Sequence, residues 1–572
     1  MRQNADRDWK WSMPRAHQVG CGSLTAALLL ATVAAAETSG ATGELARGNH
    51  SAPTGSLRAP LVKVEQGWLR GVSHEERLAS GVVPLGPGGA PVDEFLGVPF
   101  AAPPVGALRF EPPRRAARWR GVRDARQLSV LCAQAGAPSS EDCLQLNVYR
   151  PRNVRGKLPV LFYIHGGSLM VGSASEYRAR QLASEIPAVI VTTNYRLNVF
   201  GFLTLPASPA SVASSDSSER GRASSRASLP GNYGLLDQQA ALAWVQRNIQ
   251  YFGGDASRVT IAGHSSGGSS VCAHLASPPA WGSFSGAMLQ SAGCGSVERA
   301  QLEARSLAFA SGLGCTDPAS AADCLRALPM AQLLASLNGF QADFAVDPTL
   351  LPLAPAQALA TGQIARVPTL LGGTHDETRI FLTSLFPLAP ELYPGLLEST
   401  YAGIASEVAA RYPAQDYADP VYAFSASQSD QFAACPVRRL AAQLSQYTST
   451  YLYEFDDPAA PAPHWMPVPE GFVMGSTHSS DAPYIFDRPG LVQPDAPPFS
   501  AEQLALGGEV RRAFGAFLRT GDPSAPGGPR WPAYEPDTDL VLLMAPGGSH
   551  ALDDYSAQHD CDLWDANPPP AP

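Results

Sequence analysis

The sequence predicts an α/β protein, a single large domain built on a mostly parallel central sheet flanked by helices. Two observations predict it. From Leu61 onward, short apolar runs alternate with stretches of helical periodicity, the pattern left by strands buried on both faces between crossover helices. The 572 residues are 45% hydrophobic and 16% charged, enough apolar material for one sizeable core. No internal repeat divides the chain.

The elements follow in chain order. Residues 1–36 read as an export leader: the apolar stretch 22–36 lies behind arginine and lysine residues and ends in small residues suited to cleavage after Ala36. That stretch is too short to span a bilayer, and no other stretch is long and apolar enough, so no stable membrane anchor is expected. Cys21 precedes the apolar stretch rather than following it, which argues against a lipid-anchored lipoprotein. Residues 37–60 are polar and turn-rich and read as a disordered linker to a domain at 61–566. Strands are predicted at 158–164, 188–193, 259–262, 287–290, 367–371 and 450–455. The best helix runs over 235–251, where Leu235, Leu242, Val245 and Ile249 share a face, interrupted by Gln238 and Gln239, and Gly253-Gly254 stops it. The serine-rich stretch 208–228 is aperiodic and reads as a surface loop, and 567–572 as a disordered tail.

Net charge is −10, which offers no basic surface to nucleic acid or anionic lipid. Loss of Cys21 with the leader leaves eight cysteines. An even number in an exported chain points to disulfides, and so to a secreted or periplasmic protein.

One motif carries chemistry. Gly263-His264-Ser265-Ser266-Gly267 is the chain's only G-x-S-x-G, a pattern too short to mean much alone. Here an apolar run precedes it and a helical start follows, which gives the strand, tight turn and helix that lift a serine Oγ out of a sheet. With EDCLQLNVYRP at 141–151, HGGS at 165–168, NYRLNVFGFL at 194–203 and GNYGLLDQQAALAWVQRNIQYFGGD at 231–255, this elbow resembles the type B carboxylesterase, or cholinesterase-like, family. LGVPFAAPPVGALRF at 96–110 and TGDPSAPGGPRWPAY at 520–534 extend the resemblance over most of the chain. It implies the α/β-hydrolase fold and a serine ester hydrolase.

Ester hydrolysis through a serine needs N–H donors for the oxyanion, an imidazole base and an acid to orient it. The donors are expected from Ser266 and from the Gly166-Gly167-Ser168 turn, where the family usually has a third glycine in place of Ser168. In this fold the acid and histidine follow the serine. By resemblance Glu377, at the end of GGTHDE, is the acid, with Asp376 as the alternative; His375 reads as a loop residue. His478 matches the family's histidine segment, with Asp481 three residues on. His464 lies in a proline-rich stretch, and His550 and His559 lie too near the end to match. The expected reaction is an acyl-enzyme on Ser265, with short to medium acyl esters as small-molecule substrates. It needs no metal or organic cofactor. His165, His264, His274 and His375 show no zinc-like linear spacing. A monomer is compatible with everything in the sequence.

The family also implies ion pairs Arg109–Glu141 and Arg196–Asp237, and disulfides Cys132–Cys143, Cys315–Cys324 and Cys435–Cys561; Cys272 and Cys294 are left to pair by elimination. The chain departs from cholinesterases at His264, where they carry glutamate. It departs again at 131–142, a short segment without the aromatic platform that stacks a quaternary ammonium. Choline esters are therefore not expected. A lipase acting on insoluble esters is the second reading. A non-catalytic adhesion module is the third, disfavoured because Ser265, Glu377 and His478 are all present.

Overall fold

In chain order the strands are β1 (Leu61–Val64), β2 (Gly67–Arg70), β3 (Val92–Pro99), β4 (Val122–Asp124), β5 (Gln145–Pro151), β6 (Leu158–Ile164) and β7 (Val189–Thr193). There follow β8 (Gly254–His264), β9 (Gly286–Gln290), β10 (Thr369–Thr374), β11 (Thr450–Phe455), β12 (Val541–Met544) and β13 (His550–Leu552). This computed structural model describes residues 59–73, 89–152, 154–206 and 231–568. The leader, almost all of the linker, the 208–228 stretch and the last four residues lie outside the described residues. Strands β1, β2 and β4 form a small sheet; the other ten form the main sheet, in the order β13-β12-β11-β10-β9-β8-β6-β7-β5-β3.

From β7 to β12 the main sheet is parallel; β3, β5 and β13 run antiparallel at its edges. Every residue of β6 (LPVLFYI) and β7 (VIVTT) is buried, as expected of central strands covered on both faces. Their side chains alternate between two cores. Phe162, Val191 and Ile261 face Leu242, Val245 and Ile249 of the Tyr233–Asn248 helix and its 3₁₀ extension. Leu161, Tyr163 and Ile190 face Leu506, Val510 and Phe514 of the Ala501–Thr520 helix. Each such side chain removed from water contributes about 1.5–3 kcal/mol.

The six predicted strands all exist: 158–164 and 450–455 keep their predicted bounds, and the larger shifts have identifiable reasons. The run predicted at 367–371 forms Thr369–Thr374, because Gly372-Gly373 continue the strand instead of ending it. A Cβ at Gly372 would sit 2.3 Å from the Tyr453 ring on β11, so the neighbouring strand requires glycine there. The run at 259–262 is the middle of the longer β8, which continues through Gly263 and His264. Leu235, Leu242, Val245 and Ile249 are buried as expected, but Gln238 is buried among them. It donates to Ser270 Oγ (3.0 Å) and lies 2.9 Å from His274 Nε2, a polar tie to the Ser266–Ala276 helix. Gly253 ends the helical stretch at φ 82°, a conformation few other residues accept.

Arg196 grips Asp237 through two side-chain hydrogen bonds of 2.7 and 2.8 Å, fully buried. Arg109 holds Glu141 in the same forked way at 2.7 and 2.5 Å. All eight cysteines among the described residues are paired: Cys132–Cys143, Cys272–Cys294, Cys315–Cys324 and Cys435–Cys561. No single helix among the described residues is long and apolar enough to cross a membrane.

Candidate active site

The segments singled out in the sequence meet at the C-terminal ends of the central strands, where open parallel sheets place their ligands. Ser265 follows β8 directly and stands at φ 56°, ψ −128°, a conformation that L-residues avoid. The turn is this tight because Gly267 lies against β6: a Cβ there would be 2.1 Å from the carbonyl oxygen of Ile164. The turn is held by the Ser265 N–H, which donates to the Gln290 carbonyl at 2.8 Å.

The 165–172 turn after β6 lies beside the serine. Gly166 packs on it so closely that a Cβ would come 3.0 Å from Ser265 Cβ. Gly167 has φ 113°, and Ser168 and Leu169 follow at φ 55° and 59°. The Leu169 N–H donates to Ser266 Oγ at 3.1 Å, which ties this turn to the residue after the serine. Gln134, inside the Cys132–Cys143 loop, holds the far end: its amide donates to the Gly172 carbonyl and accepts from the Gly172 N–H, both at 3.0 Å. Among the described residues, the backbone N–H groups of Gly167, Ser168 and Ser266 donate to no protein acceptor.

Glu377 stands in the turn after β10 and His478 beyond β11. His478 Nδ1 lies 2.6 Å from Glu377 Oε2, and the Thr374 N–H donates to Glu377 Oε1 at 3.1 Å. Burial pushes the Glu377 carboxyl up, but the His478 charge, its hydrogen bond and the Thr374 N–H outweigh burial and hold it at about 2. Burial works against an imidazolium at His478, yet Glu377, with a smaller contribution from Asp481, raises it above the ordinary value. Asp376 takes a different part: it pairs with Arg379 and accepts the Ser476 N–H at 2.9 Å, fixing the turn. The structure therefore gives the imidazole to Glu377 and not to Asp376.

Around His478 the setting is aromatic. The His264 ring lies 4.5 Å away and Phe381 5.4 Å, with Trp465 6.2 Å beyond Phe381. Burial, then the neighbouring His478, lower His264 to about 3, which keeps it neutral beside the charged pair. Asp481 is buried below, accepts from Gln290 Nε2 at 3.1 Å, and is raised by burial and then by Glu377 to about 6. A cavity of about 380 Å³ opens on Glu377 and His478, lined by Phe381, Phe432, Val437 and Leu440, with Arg439 and Gln443 among its polar groups.

Two histidines dismissed in the sequence have specific partners. His559 is buried, with Nδ1 2.5 Å from Asp430 and Nε2 2.8 Å from Glu454; His375 Nδ1 is 3.1 Å from the same Glu454 oxygen. Burial opposes charge on all three residues, but their opposite-charge partners prevail: the two histidines hold Glu454 at about 2, Glu454 and Asp376 raise His375 to about 9, and Asp430 and Glu454 raise His559 to about 10. No linear spacing announces this group, because its members come from three distant segments. His464 and His550 stand apart from the Ser265–Glu377–His478 region, His464 with its N–H on the Leu491 carbonyl and His550 on the edge strand.

A serine on a strained turn, an imidazole held by a buried carboxylate and unspent N–H groups are the parts that acyl transfer requires. On this sheet they define an α/β-hydrolase. The carboxylesterase family matches residues 58–564, and the chain belongs to that family. It is 32% identical to a para-nitrobenzyl esterase of Bacillus subtilis (strain 168), over 79% of this chain and 91% of that one. It is 31% identical to a cocaine esterase of Oryctolagus cuniculus (86% and 94%) and 30% identical to an acylcarnitine hydrolase of Mus musculus (81% and 85%). The protein is a carboxylic ester hydrolase.

Proposed function

We propose that the protein is an exported serine carboxylesterase for short to medium acyl esters, with Ser265 as nucleophile, His478 as base and Glu377 as the acid that orients it. The observation that carries this reading is the 2.6 Å hydrogen bond from His478 Nδ1 to Glu377, with the His478 ring 4.5 Å from that of His264, the residue before Ser265. It commits Nδ1 to the carboxylate and leaves Nε2 to take the serine proton. As Ser265 Oγ bonds to the ester carbon, the carbonyl electron pair moves onto oxygen. There the N–H groups of Ser266, Gly167 and Ser168 stabilise it. The intermediate expels the alkoxide, which takes the proton from His478 and leaves as the alcohol. Water then repeats the sequence on the acyl-enzyme and frees the acid.

The cavity of about 380 Å³ with its apolar lining supports an acyl chain of modest length. Against choline esters stands the loop closed by Cys132–Cys143, which carries no aromatic residue. A serine-directed phosphonate probe and p-nitrophenyl esters of graded acyl length test the reading together. Label on Ser265 and fastest turnover on soluble short to medium esters are expected. Label elsewhere, or turnover that starts only above the solubility limit of long-chain esters, would overturn it. Export is supported by the leader and the four disulfides. N-terminal sequencing after expression in an exporting host should find Glu37 first, and a retained Met1 would refute it.

A further inference from the structure

We propose that His375, Glu454 and His559 form a binding site for one zinc-class divalent cation, beside the turn that carries Glu377. One ligand atom from each of the three lies within 4.8 Å of the others. Around Glu454 Oε1, His375 Nδ1 stands at 3.1 Å and His559 Nε2 at 2.8 Å. Donors bound tetrahedrally at about 2.0–2.2 Å sit about 3.3 Å from one another, so each nitrogen need move only a few tenths of an ångström from the Glu454 oxygen to admit the ion.

A second observation is independent of that spacing. His559 is 1% exposed, and its Nε2 points into the cluster 2.8 Å from Glu454 Oε1, in ion-pair range but not in regular hydrogen-bond geometry. The other nitrogen is fixed: Nδ1 lies 2.5 Å from Asp430 Oδ1, and Asp430 Oδ2 accepts the Tyr412 hydroxyl at 2.8 Å. A carboxylate behind the imidazole, itself held by a further hydrogen bond, is what orients a ligating histidine. Charge also suits a divalent ion. With both imidazoles neutral, the carboxylates of Glu454 and Asp430 offset the two positive charges of the ion. Two nitrogens and one carboxylate oxygen match zinc better than calcium or magnesium, which prefer all-oxygen sets. The His375 side chain is 43% exposed, which gives the ion a way in and leaves room for water as a fourth ligand.

The test does not involve ester turnover, so its outcome is separate from that of the Ser265 mechanism. Chelator-treated full-length protein is titrated with Zn²⁺ at pH 8, because binding displaces imidazole protons. After desalting, about one equivalent of zinc should remain and Tm should rise, while Ca²⁺ does neither. Co²⁺ should give the visible absorption of a tetrahedral nitrogen–oxygen site. His375→Gln, at a half-exposed position that leaves the core intact, should weaken binding at least about tenfold; His559→Gln, checked for folding by near-UV circular dichroism, should abolish it. No retained zinc in the parent protein, or unchanged zinc in His375→Gln, would overturn the site and leave the cluster as proton-held ion pairs.

Discussion

Asp376 and Glu377 are adjacent carboxylates with unlike partners, an arginine for the first and the imidazole for the second. Glu377→Gln should therefore lower turnover by roughly 10³–10⁴, the scale of losing the orienting acid in a serine protease triad. Asp376→Asn should stay within about tenfold of the parent once rates are corrected for folded protein. Steady-state kinetics on both variants decide between the two carboxylates, and a reversed order would move the acid to Asp376. Protonation gives a second check. In the proposed mechanism only neutral His478 accepts the serine proton, and Glu377 raises its pKa, so kcat/KM should climb with pH through a midpoint above the ordinary imidazole value of about 6.5. A midpoint below 6 would contradict that pairing. Ser168 offers a third. At φ 55° it occupies a conformation that suits glycine, so Ser168→Gly should keep or gain up to about 1 kcal/mol of stability in chemical denaturation. At this scale the sequence was readable wherever chemistry follows a local pattern, as in G-x-S-x-G and HGGS. It was silent on His559 and Glu454, whose partners lie far along the chain.

Strands in the middle of the sheet announced themselves, since β6 and β7 are buried on both faces and read as unbroken apolar runs. The outer strands β3, β5, β12 and β13 did not: β5 (QLNVYRP), next to the edge, mixes polar and apolar residues, and the edge strand β13 is exposed along most of its length. Glycines misled at β10, where they mark the close approach of Tyr453 rather than a strand end. The tie between the 194–203 segment and the Tyr233–Asn248 helix rests on a charge pair. Arg196→Met leaves the Asp237 carboxyl buried without its partner, and should cost about 3–5 kcal/mol in urea unfolding. The double variant Arg196→Met, Asp237→Leu should recover a good part of that loss. Equal losses in single and double variants would mean that packing, not charge, holds these elements together.

Across the whole molecule the long constraint is Cys435–Cys561, which joins residues 126 apart and anchors the C-terminal segment near the 420–445 helices. Replacing both cysteines by alanine should cost up to about 5 kcal/mol by chain-entropy reasoning while leaving kcat on the folded enzyme unchanged. Thiol titration of the denatured, unreduced mature protein should find no free cysteine; two reactive thiols would break one of the four pairs. Pairing of these cysteines was open to counting and resemblance, whereas strand order was not, because neighbours in the main sheet are often distant in sequence. That order has a further consequence. Ser265, Glu377 and His478 all follow β8, while the Gly166–Ser168 turn follows β6 and lies in the chain before residue 206. A chain opened between residues 206 and 231 would thus divide the enzyme into a piece bearing the proposed triad and a piece bearing most of the proposed oxyanion donors. Neither piece has a complete sheet, so each alone should be inert. Mixed, they should regain turnover only as β6, already paired with β7 in its own piece, docks onto β8 of the other, which would make this hydrolase a split reporter whose signal measures the zipping of its own central sheet.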